Sequence, residues 1–307
     1  MTGGMHMNAD AGQHRRLLVT GGTGFLGGAL VRRAVDAGWD VAVLSRAPRP
    51  DADARFRCLP GTLSDPPWHE LERLRPDVVV HAAWVTTPGV YMESPENANW
   101  LRWSEAFAMR LPALGVRRLV ALGTCIEYAV TGTPLNEDST PLGPASAYAR
   151  AKVELHRRLM EGLGGSGVSL AWARIFYPYG PGEHPARLAS ALIAKFRAGE
   201  VLRLRTPRST KDYIHVDDAG AALMALARAS AEGSFNVGTG IGVTVEAFAR
   251  TLAGLAGRPE LVQAEDSGVV DPLDHVVADA SRLRALGWSP QVNLVDGLRA
   301  MLESRPS

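Results

Sequence analysis

Apolar and polar positions along this chain alternate between two rhythms. Leu17, Leu18 and Val19 form a short continuous apolar run that stops in a glycine-rich stretch, Gly21 to Gly28. From Ala29 the apolar positions recur at helical spacing until Gly38. The order predicts strand, turn, helix. Val41 to Leu44 predicts a second strand, followed by a loop rich in Pro, Asp and Arg, and Pro76-Asp-Val-Val-Val-His81 and Arg118-Leu-Val-Ala-Leu-Gly123 read as further buried strands. Strands that are aliphatic throughout belong to a sheet covered on both faces. Their alternation with helices predicts βαβ units, a parallel sheet and right-handed crossovers.

After Arg174 the pattern changes. Pro178, Gly180, Pro181 and Gly182 mark a loop before a helical pattern over 186–198, Tyr213 to Val216 and Ser234 to Val237 read as strands that return to the first domain, and 243–256 reads as a helix. Gly287-Trp-Ser-Pro290 turns the chain into a last helix. Residues 1–14, polar and Gly-rich, are expected to be a disordered leader.

Composition removes whole classes of function. The 307 residues are 46% hydrophobic, enough for a large core. With 33 basic against 32 acidic residues the chain has no surplus charge for nucleic acid or an anionic membrane. No apolar run reaches the roughly 18 to 20 residues of a membrane span. Two cysteines, Cys58 and Cys125, make no disulfide framework, which fits a reducing cytoplasm.

Thr20-Gly-Gly-Thr-Gly-Phe-Leu-Gly27 places Gly21, Gly24 and Gly27 at GxxGxxG spacing between a strand and a helix, with Thr23, Phe25 and Leu26 between them. The first glycine permits a tight turn, the second lets backbone approach a pyrophosphate, and the third allows close packing of helix on strand. This predicts a dinucleotide site and an α/β fold: a Rossmann doubly wound parallel sheet over 15–175, to which 212–240 returns, with a smaller C-terminal substrate-binding domain over 176–307. The second strand ends in Ser45-Arg46, without the carboxylate that would accept hydrogen bonds from a ribose 2′-hydroxyl. A guanidinium there suits a 2′-phosphate, so NADP(H) is expected in preference to NAD(H), the alternative being that Arg46 is a solvated surface arginine.

Tyr148-Ala-Arg-Ala-Lys152 sets a phenol and an ammonium at i and i+4 on one helix face. A lysine cation stabilises a phenolate and is expected to lower the tyrosine's acidity constant toward working pH. Upstream, Gly123-Thr-Cys-Ile-Glu-Tyr128 follows a parallel strand, and the Thr124 hydroxyl could donate to the same substrate oxygen as Tyr148.

With the glycine turn, this order resembles the extended short-chain dehydrogenase/reductase family, the NAD(P)-dependent epimerase/dehydratase group acting on nucleotide sugars, from about Arg15 onward. The resemblance implies that Tyr148 is the acid/base, that Lys152 binds the nicotinamide ribose, and that Thr124 takes the family's Ser/Thr role. It implies cofactor contacts from His81, Ala82, Ala83, Leu63 and Phe176, and substrate contacts from Trp84, Cys125, Tyr177, Arg187 and Lys211. Lys211-Asp-Tyr-Ile-His-Val-Asp-Asp218 matches the family's RDxxxVDD segment, and Phe235-Asn-Val-Gly-Thr-Gly240 its NxGxG turn. It also implies a homodimer through helices near 99–110 and 148–163.

Departures narrow the function. The Asp-Glu pair that 4,6-dehydratases carry after the threonine is Cys125-Ile126 here, the family's asparagine is Tyr177, and its phosphate-binding arginine is Lys211. Phosphate recognition is therefore expected to shift toward Arg187, Arg203, Arg205 or Arg208. Thr62 replaces an aspartate that meets the adenine. Ala82-Ala83-Trp84, Gly123-Thr-Cys-Ile-Glu-Tyr128 and Phe176-Tyr177 are most similar to ketosugar reductases of deoxysugar biosynthesis. The expected reaction is NADPH-dependent reduction of a nucleotide-linked keto-deoxysugar, at C4, with a C4 epimerase and a non-catalytic dinucleotide sensor as alternatives. Cys125 reads as a small buried thiol rather than a proton shuttle, since the shuttle cysteine of GDP-fucose synthase-like enzymes lies one residue later. Trp100 and Trp103 read as core, with Trp84 the one to weigh for stacking. His81 reads as packed and hydrogen-bonded, and His184 as an ordinary loop residue. His215 lacks companions at ligand spacing, so no metal is expected.

Overall fold

The computed structural model describes residues 15–46, 54–264 and 268–304, so the expected leader over 1–14 lies outside the described residues. Along the first part of the chain run β1 (Arg16–Thr20), α1 (Phe25–Asp36), β2 (Asp40–Ser45), β3 (Phe56–Pro60), α2 (Trp68–Leu74), β4 (Val78–His81), α3 (Glu96–Met109), β5 (Arg118–Thr124), α4 (Ala147–Leu163) and β6 (Ser169–Ile175). Then follow β7 (Tyr177–Tyr179), α5 (Leu188–Arg197), β8 (Leu202–Arg203), β9 (Thr210–His215), α6 (Val216–Arg228) and β10 (Gly233–Val237). The chain closes with β11 (Gly242–Thr244), α7 (Val245–Leu255), β12 (Val262–Gln263), α8 (Ser281–Arg284) and α9 (Leu294–Glu303).

Seven strands form one parallel sheet in the order β10-β6-β5-β4-β1-β2-β3. Successive side chains of a strand point to opposite faces, and both faces here are covered. Leu17, Val19, Val41, Val43, Val78 and Val80 share a core with Leu30 of α1 and Leu223 of α6. Leu18, Ala42, Val79, Leu119 and Ala121 pack instead with Phe107 of α3 and Leu155 and Leu159 of α4. The order reverses between β1 and β4, so a crevice opens at their carboxyl ends, where ligands of such sheets bind.

A second core unites Tyr179, Leu192, Phe196, Tyr213, Phe248, Leu252 and Leu298. It lies around a three-stranded sheet in which β9 runs parallel to β7 and antiparallel to β11. β9 stays in the small sheet with Ile214 turned into the large core, then α6 packs on the large sheet and β10 joins it. Tyr213 is apolar enough to bury, but its partners Tyr177 and Phe248 are in the small core. The helix expected from Ala29 begins earlier, at Phe25. β3 and α2 come from a segment that reads as loop, because an edge strand with half-buried, alternating positions carries little apolar signal.

Candidate active site

β1 ends at Thr20, and the chain turns at Gly21 in the left-handed region, with φ of 73°. A side chain there would put its Cβ 2.8 Å from the Ala83 amide nitrogen, and a Cβ at Gly27 would overlap the Gly21 carbonyl oxygen. The turn is therefore wedged between the end of β4 and the start of α1. Thr23 and Gly24 are exposed, while Phe25 and Leu26 are half-buried. No side chain caps α1 at Gly24, which leaves its first-turn N–H groups to an anion. A dinucleotide pyrophosphate fits this turn. Ser45 closes β2 beside β1, and Arg46 is exposed just beyond it, on the same edge of the sheet.

Ala82 and Ala83 are tied to Thr20 by hydrogen bonds from their amides to its carbonyl (3.0 Å) and hydroxyl (3.3 Å). The His81 ring sits inside, with Nδ1 2.7 Å from the Thr20 hydroxyl and Nε2 2.9 Å from that of Ser104. Burial, and then the charge of Lys152, pull its pKa down to about 3, so the imidazole is neutral. His81, Leu63 and Phe176 are buried side chains.

α4 starts at Ser146, whose hydroxyl accepts from the Ala149 amide at 3.1 Å. The cap places Tyr148 and Lys152 on the buried face of the helix, under the end of β5. The Thr124 side chain reaches Tyr148 and favours its ionised form, but burial dominates, followed by the fields of Tyr91, Glu127 and Cys125, and raises the phenol well above its ordinary value. The expected lowering by Lys152 is thus corrected. The Lys152 ammonium lies 5.9 Å from the Tyr148 ring centroid, donates to the Leu122 carbonyl at 2.7 Å and sits 3.8 Å from the centroid of the Trp84 ring. Burial pulls its pKa down to about 7, against the opposing field of Glu127.

Trp84 walls this centre, with its indole N–H donating to Asn97 at 2.8 Å. Trp100 and Trp103 continue the aromatic chain into the α3 side. Tyr91 stands edge-on to Tyr148 at 4.9 Å. Sequence reasoning missed it, because a tyrosine in a short 3₁₀ turn has no motif.

It also missed Glu127. This carboxylate is fully buried, accepts from the Thr124 amide at 2.8 Å, and is held by Arg174 Nε at 2.8 Å and by the Trp172 indole. A carboxylate set directly after an apolar strand was the available signal. Arg174 continues to the Tyr128 hydroxyl at 2.8 Å, and Tyr128 donates to Asn236 at 2.8 Å.

On the substrate side, Cys125 is buried, and burial, with Asp212 second, pushes its thiol up to about 12. It is a packed thiol. Tyr177 is half-buried on β7, facing Tyr213 at 6.0 Å, and Arg187 stands at the start of α5, near enough to act on Tyr91. Lys211 is not a free phosphate grip: its ammonium pairs with Asp271 at 2.8 Å and donates to the Leu273 carbonyl. Arg203, Arg205 and Arg208 are exposed on β8 and the loop after it. His184 Nδ1 accepts from the Ala186 amide within its own loop, and His215 Nδ1 from Asp217 at the start of α6. Among the described residues no three metal-ligating side chains gather, and no helix is long and apolar enough to cross a membrane.

A dTDP-6-deoxy-L-talose 4-dehydrogenase (NAD(P)(+)) of Kitasatospora kifunensis is 32% identical, over 93% of this chain and 94% of its own. A UDP-glucose 4-epimerase of Mycolicibacterium smegmatis is 28% identical over 94% and 97%. Among solved structures, MoeE5 in complex with UDP-glucuronic acid and NAD superposes with a TM-score of 0.78 at 28% identity, covering 94% of this chain and 98% of that one. Residues 17–238 match the NAD dependent epimerase/dehydratase family, and the chain belongs to it.

Proposed function

We propose that this protein is an NADPH-dependent reductase of a nucleotide-linked keto-deoxysugar, acting at C4. The observation that carries the reading is the convergence of Tyr148, Thr124 and Lys152 at the carboxyl edge of the parallel sheet, beside the glycine turn. Gly21, Thr23, Gly24, Phe25, Leu26 and Gly27 would hold the pyrophosphate, Ser45 and Arg46 the 2′-phosphate, and Ala82, Ala83 and Lys152 the nicotinamide half. The bound nicotinamide supplies the hydride.

The residues supply the rest. A phenol raised by burial is fully protonated at neutral pH, the state needed to give a proton to a carbonyl oxygen as it becomes a hydroxyl. Thr124 donates to the same oxygen while negative charge develops there. Trp84, Tyr91 and Tyr177 present rings, suited to a sugar that lacks a hydroxyl, and Arg187 supplies the positive charge for the diphosphate. Dehydration lacks its machinery: Cys125 and Ile126 hold the two positions, and the nearby Glu127 is committed to Arg174.

The Kitasatospora relative, named for redox chemistry at C4 of a dTDP-6-deoxysugar with NAD(P), supports this choice over an epimerase. We also propose the homodimer through α3 and α4, and a cytoplasmic setting. The test is NADPH absorbance with a panel of nucleotide 4-ketosugars. Stoichiometric loss with appearance of the alcohol supports the reductase. Isomer formation at constant absorbance marks an epimerase and overturns it.

A further inference from the structure

The buried carboxylate behind Thr124 has contacts that a filler residue would not need. Thr124 and Glu127 are reciprocally bonded: the Glu127 side chain accepts the Thr124 amide, and the Thr124 hydroxyl accepts the Glu127 amide. A hydroxyl that already accepts in this direction keeps its own hydrogen for a second partner, and the neighbour on that side is Tyr148. Room for the carboxylate comes from Gly123, where a Cβ would collide with both the Glu127 carboxylate and the Trp172 indole nitrogen. The indole ring is clamped from its other side by His156, stacked at 4.8 Å, two turns along α4 from Tyr148. Strands β5 and β6 and helix α4 thus all converge on one carboxylate.

Its charge also bears on the lysine. Lys152 and Glu127 both attach to the end of β5, the ammonium donating to the Leu122 carbonyl at 2.7 Å and the carboxylate accepting the Thr124 amide two residues on at 2.8 Å, and the field of Glu127 is felt at Lys152. Around Lys152 the titratable groups are Tyr148 on α4, His81 on β4 and Glu127 after β5. The first two are neutral at working pH, so among the described residues Glu127 is the one carboxylate acting there.

We propose that Glu127 is a positioning residue of the active site, which holds Thr124 with its hydroxyl hydrogen free and acts as the fixed negative charge that keeps Lys152 an ammonium. The proposal rests on the oxidoreductase reading of Tyr148, Thr124 and Lys152. Its test has a part that does not.

The chain contains three lysines, Lys152, Lys195 and Lys211, so lysine labelled with carbon-13 at Cε gives three resonances in the free protein. Lys152 is recognised as the one with a midpoint near 7, and Glu127→Gln moves that midpoint to lower pH. With NADPH and a reducible 4-ketosugar, the same variant lowers kcat about tenfold or more and leaves the KM for NADPH within about threefold, as expected for lost orientation rather than lost binding. The alkaline limb of its pH profile moves the same way as the lysine midpoint.

A partner kept only to neutralise Arg174 makes a different forecast. In Glu127→Gln combined with Arg174→Met both charges go, which a buried pair commonly tolerates, and a purely structural role predicts native titration and native rate. The positioning role predicts that both remain displaced, and this double variant also serves if the single one does not melt cooperatively. An unchanged Lys152 midpoint in either folded variant, or a double variant that regains the native rate, overturns the proposal. A native protein that oxidises no NADPH with any ketosugar refutes the reductase reading instead, and leaves the lysine titration to judge Glu127.

Discussion

At the scale of single residues the site separates groups that act from groups that pack. Tyr148→Phe removes the hydroxyl proposed as proton donor, so turnover is expected to fall by about a hundredfold to ten-thousandfold, with NADPH affinity nearly unchanged. Stopped turnover paired with fluorescence titration of NADPH checks both. Cys125→Ser is the contrast: the thiol is a packed, protonated group, so kcat should stay within about threefold, and a collapse of kcat would make it a proton carrier after all. That Tyr148, Lys152 and Thr124 come together was legible because helical spacing and a strand end are local facts of the chain. Glu127 and Tyr91 were not, because their meaning comes from contacts with β6 and α4 distant in sequence. The pairing of Lys211 was hidden for the same reason: nothing near it in the chain announces Asp271.

At the scale of elements, the glycine turn is a packing joint between β1, β4 and α1. Gly27→Ala forces the new methyl onto the Gly21 carbonyl, so the turn must open. Cofactor affinity is expected to fall by about tenfold or more and the thermal midpoint to drop, since overpacking of this kind costs about 1 to 3 kcal/mol. Calorimetry with and without NADPH measures both effects. The βαβ units were readable from aliphatic runs and glycine punctuation, because buried parallel strands must be apolar throughout. Which sheet β9 joins was not readable, since an apolar Tyr213-Ile214 tells that a strand is covered but not by which core, and the two side chains enter different ones. β3, at the edge of the sheet, buries too little to stand out.

At the scale of the whole molecule, buried neutral histidines couple stability to pH. His81 is held down to about 3 and His156 to about 4, chiefly by burial, whereas unfolded histidine titrates near 6.5. Above pH 6.5 neither state binds the proton and these groups are silent. As pH falls from 6.5 toward 4 the unfolded chain takes up protons that the folded one refuses, and stability falls by at most about 1.4 kcal/mol per pH unit for each histidine. Urea midpoints at pH 7 and pH 5 should show the drop, and His156→Phe should flatten it.

The central claim is that this fold delivers hydride to a ketone whose oxygen is protonated by Tyr148. Its most direct measurement uses NADPH carrying deuterium at nicotinamide C4, prepared as each of the two faces, with a nucleotide 4-ketosugar and analysis of the product by mass spectrometry and NMR. The account predicts one deuterium per product, at the carbon bearing the new hydroxyl, from one labelled face only, formed at least about a hundredfold more slowly by Tyr148→Phe. Product that carries no deuterium from either face would contradict it.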